Sequence, residues 1–145
     1  MNIGVKSAIE VNSSSSSKIS LSDVIKSISD DKSLSIFKTI ADVDSNGEIN
    51  LKRKSGLSRK QYYSRLSAIM ATGLIKRQSG RYSLTAFGRV VYCCMMICQS
   101  AFNNYYKLRA IDSVEGSDFS NEDFMKFVDA IIDDQKIKEF LTEQC

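Results

Sequence analysis

Residues 57–75 have the sequence LSRKQYYSRLSAIMATGLI, and this stretch decides the fold. Tyr62, Leu66 and Ile69 recur at spacings of four and three, which places them on one face of a helix. Ser58 is predicted to cap the helix by accepting a backbone N–H from its first turn. Gly73 is predicted to end it, because glycine adopts a positive φ without a Cβ clash. The stretch therefore predicts an amphipathic helix over residues 58–72.

A second face of this helix is basic and hydroxylated. A helix that is apolar on one side and basic on another fits the major groove of DNA. Residues near the N-terminus of such a helix reach the edges of the bases. The residues that we expect to contact bases are Arg59, Lys60, Tyr63, Ser64 and Ser67.

Elements on both sides of this helix can also be predicted. Downstream, residues 74–78 and 81–84 are two short strands around a tight Ser-Gly turn, and Thr85 caps the helix that follows. Upstream, Leu21, Val24, Ile25 and Ile28 predict a short helix capped by Ser20 or Ser22. A second helix is predicted to start at Asp30-Asp31 and to turn four apolar residues towards the core: Leu34, Ile36, Phe37 and Ile40. A short strand over residues 48–50 then precedes a brief helix over residues 51–55.

This order of helix, hairpin and helix resembles the winged helix-turn-helix domain of prokaryotic ArsR- and MarR-like transcriptional regulators. The resemblance covers residues 34–89 and rests on LSRKQYYSRLSAIMATGLI and GRYSLTAFG. The first matches the family's Leu-Ser opening, central Leu and Gly-Leu-aliphatic ending. The second matches the return strand of the wing and the Leu-Thr-x-x-Gly start of the next helix. The resemblance implies a recognition helix over residues 58–72 in the major groove and a wing over residues 76–82 on the phosphate backbone.

Positive charge is concentrated in the same part of the chain. Residues 48–89 contain ten Lys or Arg residues and one acid, a net charge of +9, whereas the whole chain has a net charge of +3. Such a patch binds a polyanion and releases its counterions, which gives affinity that does not depend on sequence. The residues that we expect to contact phosphates are Lys52, Arg53, Lys54, Arg65, Lys76, Arg77 and Arg81.

The residues after the winged domain predict a dimer. Seven residues recur at spacings of four and three over three heptads, as in the seam of a coiled coil: Phe87, Val91, Cys94, Cys98, Ala101, Tyr105 and Leu108. Their neighbours make the middle of this helix apolar on nearly every side, so it needs burial all round. We expect a homodimer that uses this seam; the alternative is that the helix is the internal core of a monomer.

The fold class expected is therefore mainly α with a small β-hairpin wing. A disordered Ser-rich tail over residues 1–18 precedes the winged helix-turn-helix domain over residues 19–89, which includes a short leading helix. Residues 90–145 contain the long dimerisation helix and two further, acidic helices, with Ser120 capping the first of them. These two helices could cover the long helix, complete the dimer or bind another protein.

Cys94 and Cys98 lie one helical turn apart and could sense a metal or an oxidant. The chain has no His, and free Cys packs as a small hydrophobe, so we expect packing, no metal and no cofactor. The sequence contains no phosphate-binding loop and no nucleophile motif, so we do not expect an enzyme. No apolar run is long enough for a membrane span and no signal sequence opens the chain, so we expect a cytoplasmic protein.

The function predicted is sequence-specific binding of double-stranded DNA by a transcriptional regulator. The alternative is a winged-helix interaction module of a larger complex, whose basic face docks on an acidic protein.

Overall fold

A computed structural model of the protein describes residues 18–42, 52–53 and 55–143. Within these residues the chain forms seven helices and one two-stranded antiparallel hairpin. The elements in chain order are α1 (Leu21–Ser27), α2 (Asp31–Asp42), α3 (Arg59–Ala71), β1 (Ile75–Gln78), β2 (Arg81–Leu84), α4 (Ala86–Asn103), α5 (Tyr105–Val114), α6 (Asn121–Ile131) and α7 (Gln135–Thr142). The prediction of a mainly helical chain with a small β-hairpin is confirmed.

The first two helices begin at side-chain caps. Ser20, rather than Ser22, caps α1: its hydroxyl accepts the N–H of Asp23, and the Asp23 carboxylate accepts the N–H of Ser20. Asp30 starts α2 by accepting the N–H groups of Lys32 and Ser33, each over 3.1 Å. Each cap satisfies amide groups that have no partner within the helix.

A first hydrophobic cluster joins α1, α2, α3 and the base of the hairpin. Its buried members are Val24, Ile28, Ile36, Phe37, Ile40, Tyr62, Leu66, Ile69, Leu74 and Ile75. The three core residues predicted for α3 are therefore confirmed. The prediction for α1 is partly wrong, because Leu21 and Ile25 are 72% and 56% exposed. Because its seven residues make only two turns, α1 buries one short row of side chains, Val24 and Ile28, against the cluster.

The hairpin has the predicted Ser-Gly turn. Ile75 pairs with Leu84 and Gln78 with Arg81, which leaves Ser79 and Gly80 as a two-residue loop. Both loop residues have a positive φ, 53° and 75°. Positive φ at both central positions is the type I′ geometry, whose twist matches that of the flanking strands.

The long helix predicted to carry the seam from Phe87 to Leu108 is interrupted, which corrects the prediction of three continuous heptads. α4 ends at Asn103 and α5 begins at Tyr105. At the junction the Asn104 side chain donates to the carbonyl of Ser100 over 2.9 Å, and the Asn104 N–H is shared among three carbonyls. Asn side chains compete with backbone hydrogen bonds in this way and favour helix ends.

A second hydrophobic cluster lies among α5, α6 and α7. Its buried members are Ile111, Val128, Ile132 and Ile137. The predicted Ser120 cap is confirmed, since its hydroxyl accepts the N–H of Asp123. Asp134 caps the last helix by accepting the N–H groups of residues 136 and 137. The Phe140 side chain of this helix is 58% exposed.

α4 connects the two clusters through opposite faces. Val91, Tyr92 and Met95 pack against the first cluster. Ile97 and Ala101, half a turn round the helix from Tyr92 and Met95, pack against the second. The helix is therefore shared by both cores.

Several predictions fall outside the described residues: the Ser-rich tail up to residue 17, the strand over residues 48–50, and Lys54. Of the predicted brief helix, Lys52, Arg53 and Ser55 are described and are helical. Across the described ranges, none of the helices has both the length and the hydropathy of a membrane span.

Candidate nucleic-acid interface

The N-terminus of α3 is held by a reciprocal cap. The Ser58 hydroxyl accepts the N–H of Gln61 over 3.3 Å, and the Gln61 side chain accepts the N–H of Ser58 over 3.2 Å. The Ser58 half of this cap was predicted from the sequence and is confirmed; the Gln61 half was not predicted, although Gln three residues after a Ser cap is a recognised signal. This cap fixes the first turn of the helix, where two of the five predicted base-contact residues, Arg59 and Lys60, lie.

All five predicted base-contact residues are exposed on α3. They are Arg59, Lys60, Tyr63, Ser64 and Ser67. The Arg59 guanidinium lies over the ring of Tyr63, 5.8 Å from its centroid, and the rings of Tyr62 and Tyr63 meet edge to face. Because Tyr62 is fully buried, these contacts orient the Tyr63 ring and the Arg59 side chain from the core outwards.

Arg65, a predicted phosphate contact, is instead engaged inside the molecule. It forms an ion pair with Asp30 and donates to the Ser33 hydroxyl over 3.0 Å. Hydrogen bonds from Ser33, and then the Arg65 guanidinium, lower the pKa of Asp30 from 3.8 to about 2. The spacing of residues along α3 could not show this pair, because Asp30 lies 35 residues away in the sequence.

The other predicted phosphate contacts lie on the hairpin and before α3. Lys76, Arg77 and Arg81 are exposed on the hairpin, and the Arg77 guanidinium lies over the Tyr82 ring at 5.6 Å. Lys52 is half-buried and Arg53 is exposed. Three exposed cations are thus carried by the two paired strands of the hairpin.

A tight junction fixes the hairpin relative to α4. The Thr85 N–H donates to the carbonyl of Leu74, and the Thr85 hydroxyl donates to the carbonyl of Gly73 over 2.6 Å. The same hydroxyl accepts the N–H of Gly88 over 2.8 Å. A Cβ on Gly88 would lie 1.9 Å from the Leu74 carbonyl oxygen, so only glycine fits. The sequence signal for this junction was the Leu-Thr-x-x-Gly motif, but its backbone contact was not predicted.

The predicted dimer residues divide into two groups. Val91 packs on the first cluster, and Ala101 and Leu108 pack on the second. The other four remain exposed: Phe87, Cys94, Cys98 and Tyr105. Only four of the seven residues of the predicted seam are therefore exposed, and the other three pack within the chain.

Large apolar side chains outside the seam add to this exposed surface. Val90, Phe102 and Tyr106 are 62%, 73% and 85% exposed. Cys93 is exposed as well, so the packing predicted for the cysteines is not provided within one chain. Among the residues described, no group of three or more potential ligands gathers to hold a metal ion.

The sequence matches no protein-family model, no curated protein and no solved structure. The function is therefore inferred from the geometry and charge of the site.

Proposed function

We propose that this chain is a sequence-specific transcriptional regulator that binds double-stranded DNA through a winged helix-turn-helix. In this proposal α3 is the recognition helix and the β1–β2 hairpin is the wing. One observation carries it: five basic side chains predicted from the sequence lie exposed on two consecutive elements, Arg59 and Lys60 on α3 and Lys76, Arg77 and Arg81 on the hairpin. α3 leads through Gly73 into the hairpin, and Thr85 binds the hairpin base to α4.

The dimensions of α3 suit a DNA groove. Its 13 residues make a rod of about 20 Å. The major groove of B-DNA is about 12 Å wide and admits one α-helix. Lys60, Ser64 and Ser67 lie on one exposed face of this rod, away from the buried Tyr62, Leu66 and Ile69 row.

Base and phosphate contacts are divided between the elements. Arg59, Lys60 and Tyr63 stand at the N-terminal half of α3, where side chains reach base edges. Arg or Lys bonded to guanine contributes about 1–3 kcal/mol of discrimination against the wrong base. Cations of the wing contact phosphates, which position the protein and do not read sequence.

The active form in this proposal is a homodimer. The support is the exposed apolar surface of α4 and α5, which includes Phe87, Val90 and Phe102. Exposed patches of this kind mark interaction sites. A two-fold dimer would present two recognition helices one DNA turn apart, about 34–36 Å, and would bind a palindrome.

The test is selection of binding sites from a random duplex pool, followed by titration of the selected duplex and a scrambled duplex over a salt series. We expect a palindrome that binds at least about a thousandfold more tightly than scrambled DNA. We also expect a salt slope that corresponds to several phosphates. Weak binding without sequence preference, lost by physiological salt, would reject the proposal and favour docking on an acidic protein.

A further inference from the structure

A groove of about 450 Å³ runs along one flank of α3, beside the turn that joins α1 to α2. One wall comes from that turn and from the start of α2, and the other from α3. The lining residues that carry polar groups on the first wall are Lys26, Ser27, Asp30 and Ser33; those on the second are Lys60, Gln61, Ser64 and Arg65. The end of α1 therefore lies next to the face of α3 that we propose contacts the bases.

The charge of this groove is positive. Three bases and one acid line it, and the acid, Asp30, is already paired with Arg65. Lys26 and Lys60 are exposed, and neither forms an ion pair with any residue that the structure describes. Asp23, three residues before Lys26, is held mainly by Ser20, and Lys26 is the weakest cause of its lowered pKa. Two ammonium groups thus remain available to an anion.

Two other grooves of similar size lack this character. The groove between the α5–α6 loop and α7 has Glu115 as its charged residue. The groove between α4 and α7 has one acid, Asp134, and one base, Lys136. The net positive charge is therefore specific to the groove beside α3 among these three.

A helix in the major groove has a phosphate backbone along each border of that groove. The flank of α3 that faces α1 would meet one of these borders when Lys60 and Ser64 face the bases. We propose that this groove binds a phosphodiester of that DNA strand, with Lys26 supplying the ammonium that contacts the phosphate. This inference rests on the proposed function.

Helix α1 thereby gains a role of its own. It lies before residue 34, outside the part of the chain that resembles the winged domain. Lys26 stands in its last turn, and the burial of Val24 and Ile28 in the first cluster holds that turn against α3. The leading helix is an extra phosphate clamp in addition to its part in the core.

The experiment compares Lys26→Ala with Lys136→Ala in the full chain, using the selected and scrambled duplexes over the salt series. Both variants remove one exposed lysine and change the net charge equally. We expect Lys26→Ala to make the slope of log K against log[salt] shallower by about 0.9, the value for one phosphate. It weakens both duplexes alike, while Lys136→Ala leaves the slope of the wild type. Lys26→Arg, which keeps the charge, restores the slope.

The outcomes separate this inference from the function on which it rests. A wild-type slope of several phosphates that Lys26→Ala does not change would overturn the phosphate site and leave the DNA-binding proposal intact. A loss of sequence preference in Lys26→Ala would also overturn it, because a phosphate contact carries no sequence information. Absence of salt-dependent binding in the wild type would overturn both. Thermal melting of each variant verifies that the fold is retained.

Discussion

Replacement of Gly88 by alanine tests the junction between hairpin and α4. Helix propensity alone predicts a gain of about 1 kcal/mol, because alanine is the better helix former. The structure predicts the opposite sign. The new Cβ would stand 1.9 Å from the Leu74 carbonyl oxygen and 2.9 Å from its carbon. Non-bonded carbon atoms prefer about 3.5–4.0 Å, so the two backbones must separate by more than about 1 Å.

The cost can be estimated from what this separation disturbs. Inserting a methyl group into a packed site costs about 1–3 kcal/mol. The hydrogen bonds of Thr85 to Leu74 and Gly73, at 3.1 and 2.6 Å, would lengthen, and each contributes about 1 kcal/mol. After subtraction of the propensity gain, we expect Gly88→Ala to lower the free energy of unfolding by about 3 kcal/mol. For a chain of this size the Tm falls by roughly 10 °C.

Urea unfolding followed by far-UV circular dichroism measures this loss. Arg89→Ala is the matched control, since it lies in the same helical turn and is exposed; its stability should stay within about 0.5 kcal/mol of the wild type. A Gly88→Ala protein as stable as the wild type, or more stable, would refute the close approach of α4 to Leu74.

Three other predictions concern the interface, the acid response and the dimer. Lys60→Ala should change the consensus recovered by site selection, whereas Arg81→Ala should weaken all duplexes alike; an identical consensus for Lys60→Ala and wild type would reject its role at the bases. The pKa of Asp30 is about 2 in the folded protein against an ordinary 3.8, so its contribution to stability is complete above about pH 4 and is lost as the pH falls through 2. Asp30→Asn should therefore flatten the dependence of the free energy of unfolding on pH between these values, by no more than about 1 kcal/mol because the Asp30 side chain is 46% exposed; an unaltered acid profile would show that this pair does not contribute. Val90→Asp, at a position 62% exposed, should convert a dimer to a monomer in light scattering without lowering the stability of the monomer, and a wild type that is already monomeric at micromolar concentration would remove the dimer from the proposed function.

The features that could be predicted from the sequence are those that depend on neighbouring residues. The caps at Ser58 and Thr85, the core row of α3 and the hairpin turn follow from spacings of two to four residues and from the φ preference of glycine. The exposed face of α3 follows from the same periodicity, since positions opposite a buried row face solvent.

Features that depend on distant parts of the chain could not be predicted. The Arg65–Asp30 ion pair and the approach of Gly88 to Leu74 both arise where separate elements meet. The predicted seam over residues 87–108 is interrupted between α4 and α5, and three of its residues pack within the chain. Periodicity places residues on one face of a helix but does not show what covers that face, and α4 has a different neighbour at each end.

Because α4 packs against both hydrophobic clusters, it limits where the chain can be truncated. The ring of Tyr92 meets that of Phe37 edge to face, and its hydroxyl donates to Asp42 over 2.6 Å. A fragment that stopped at Arg89, where the basic segment ends, would remove Val91, Tyr92 and Met95 and leave the first core open on one side. The smallest unit that keeps this core closed extends to at least Met95. Such a unit would end inside α4. It would lack Ile97 and Ala101, the residues through which α4 contacts the second core.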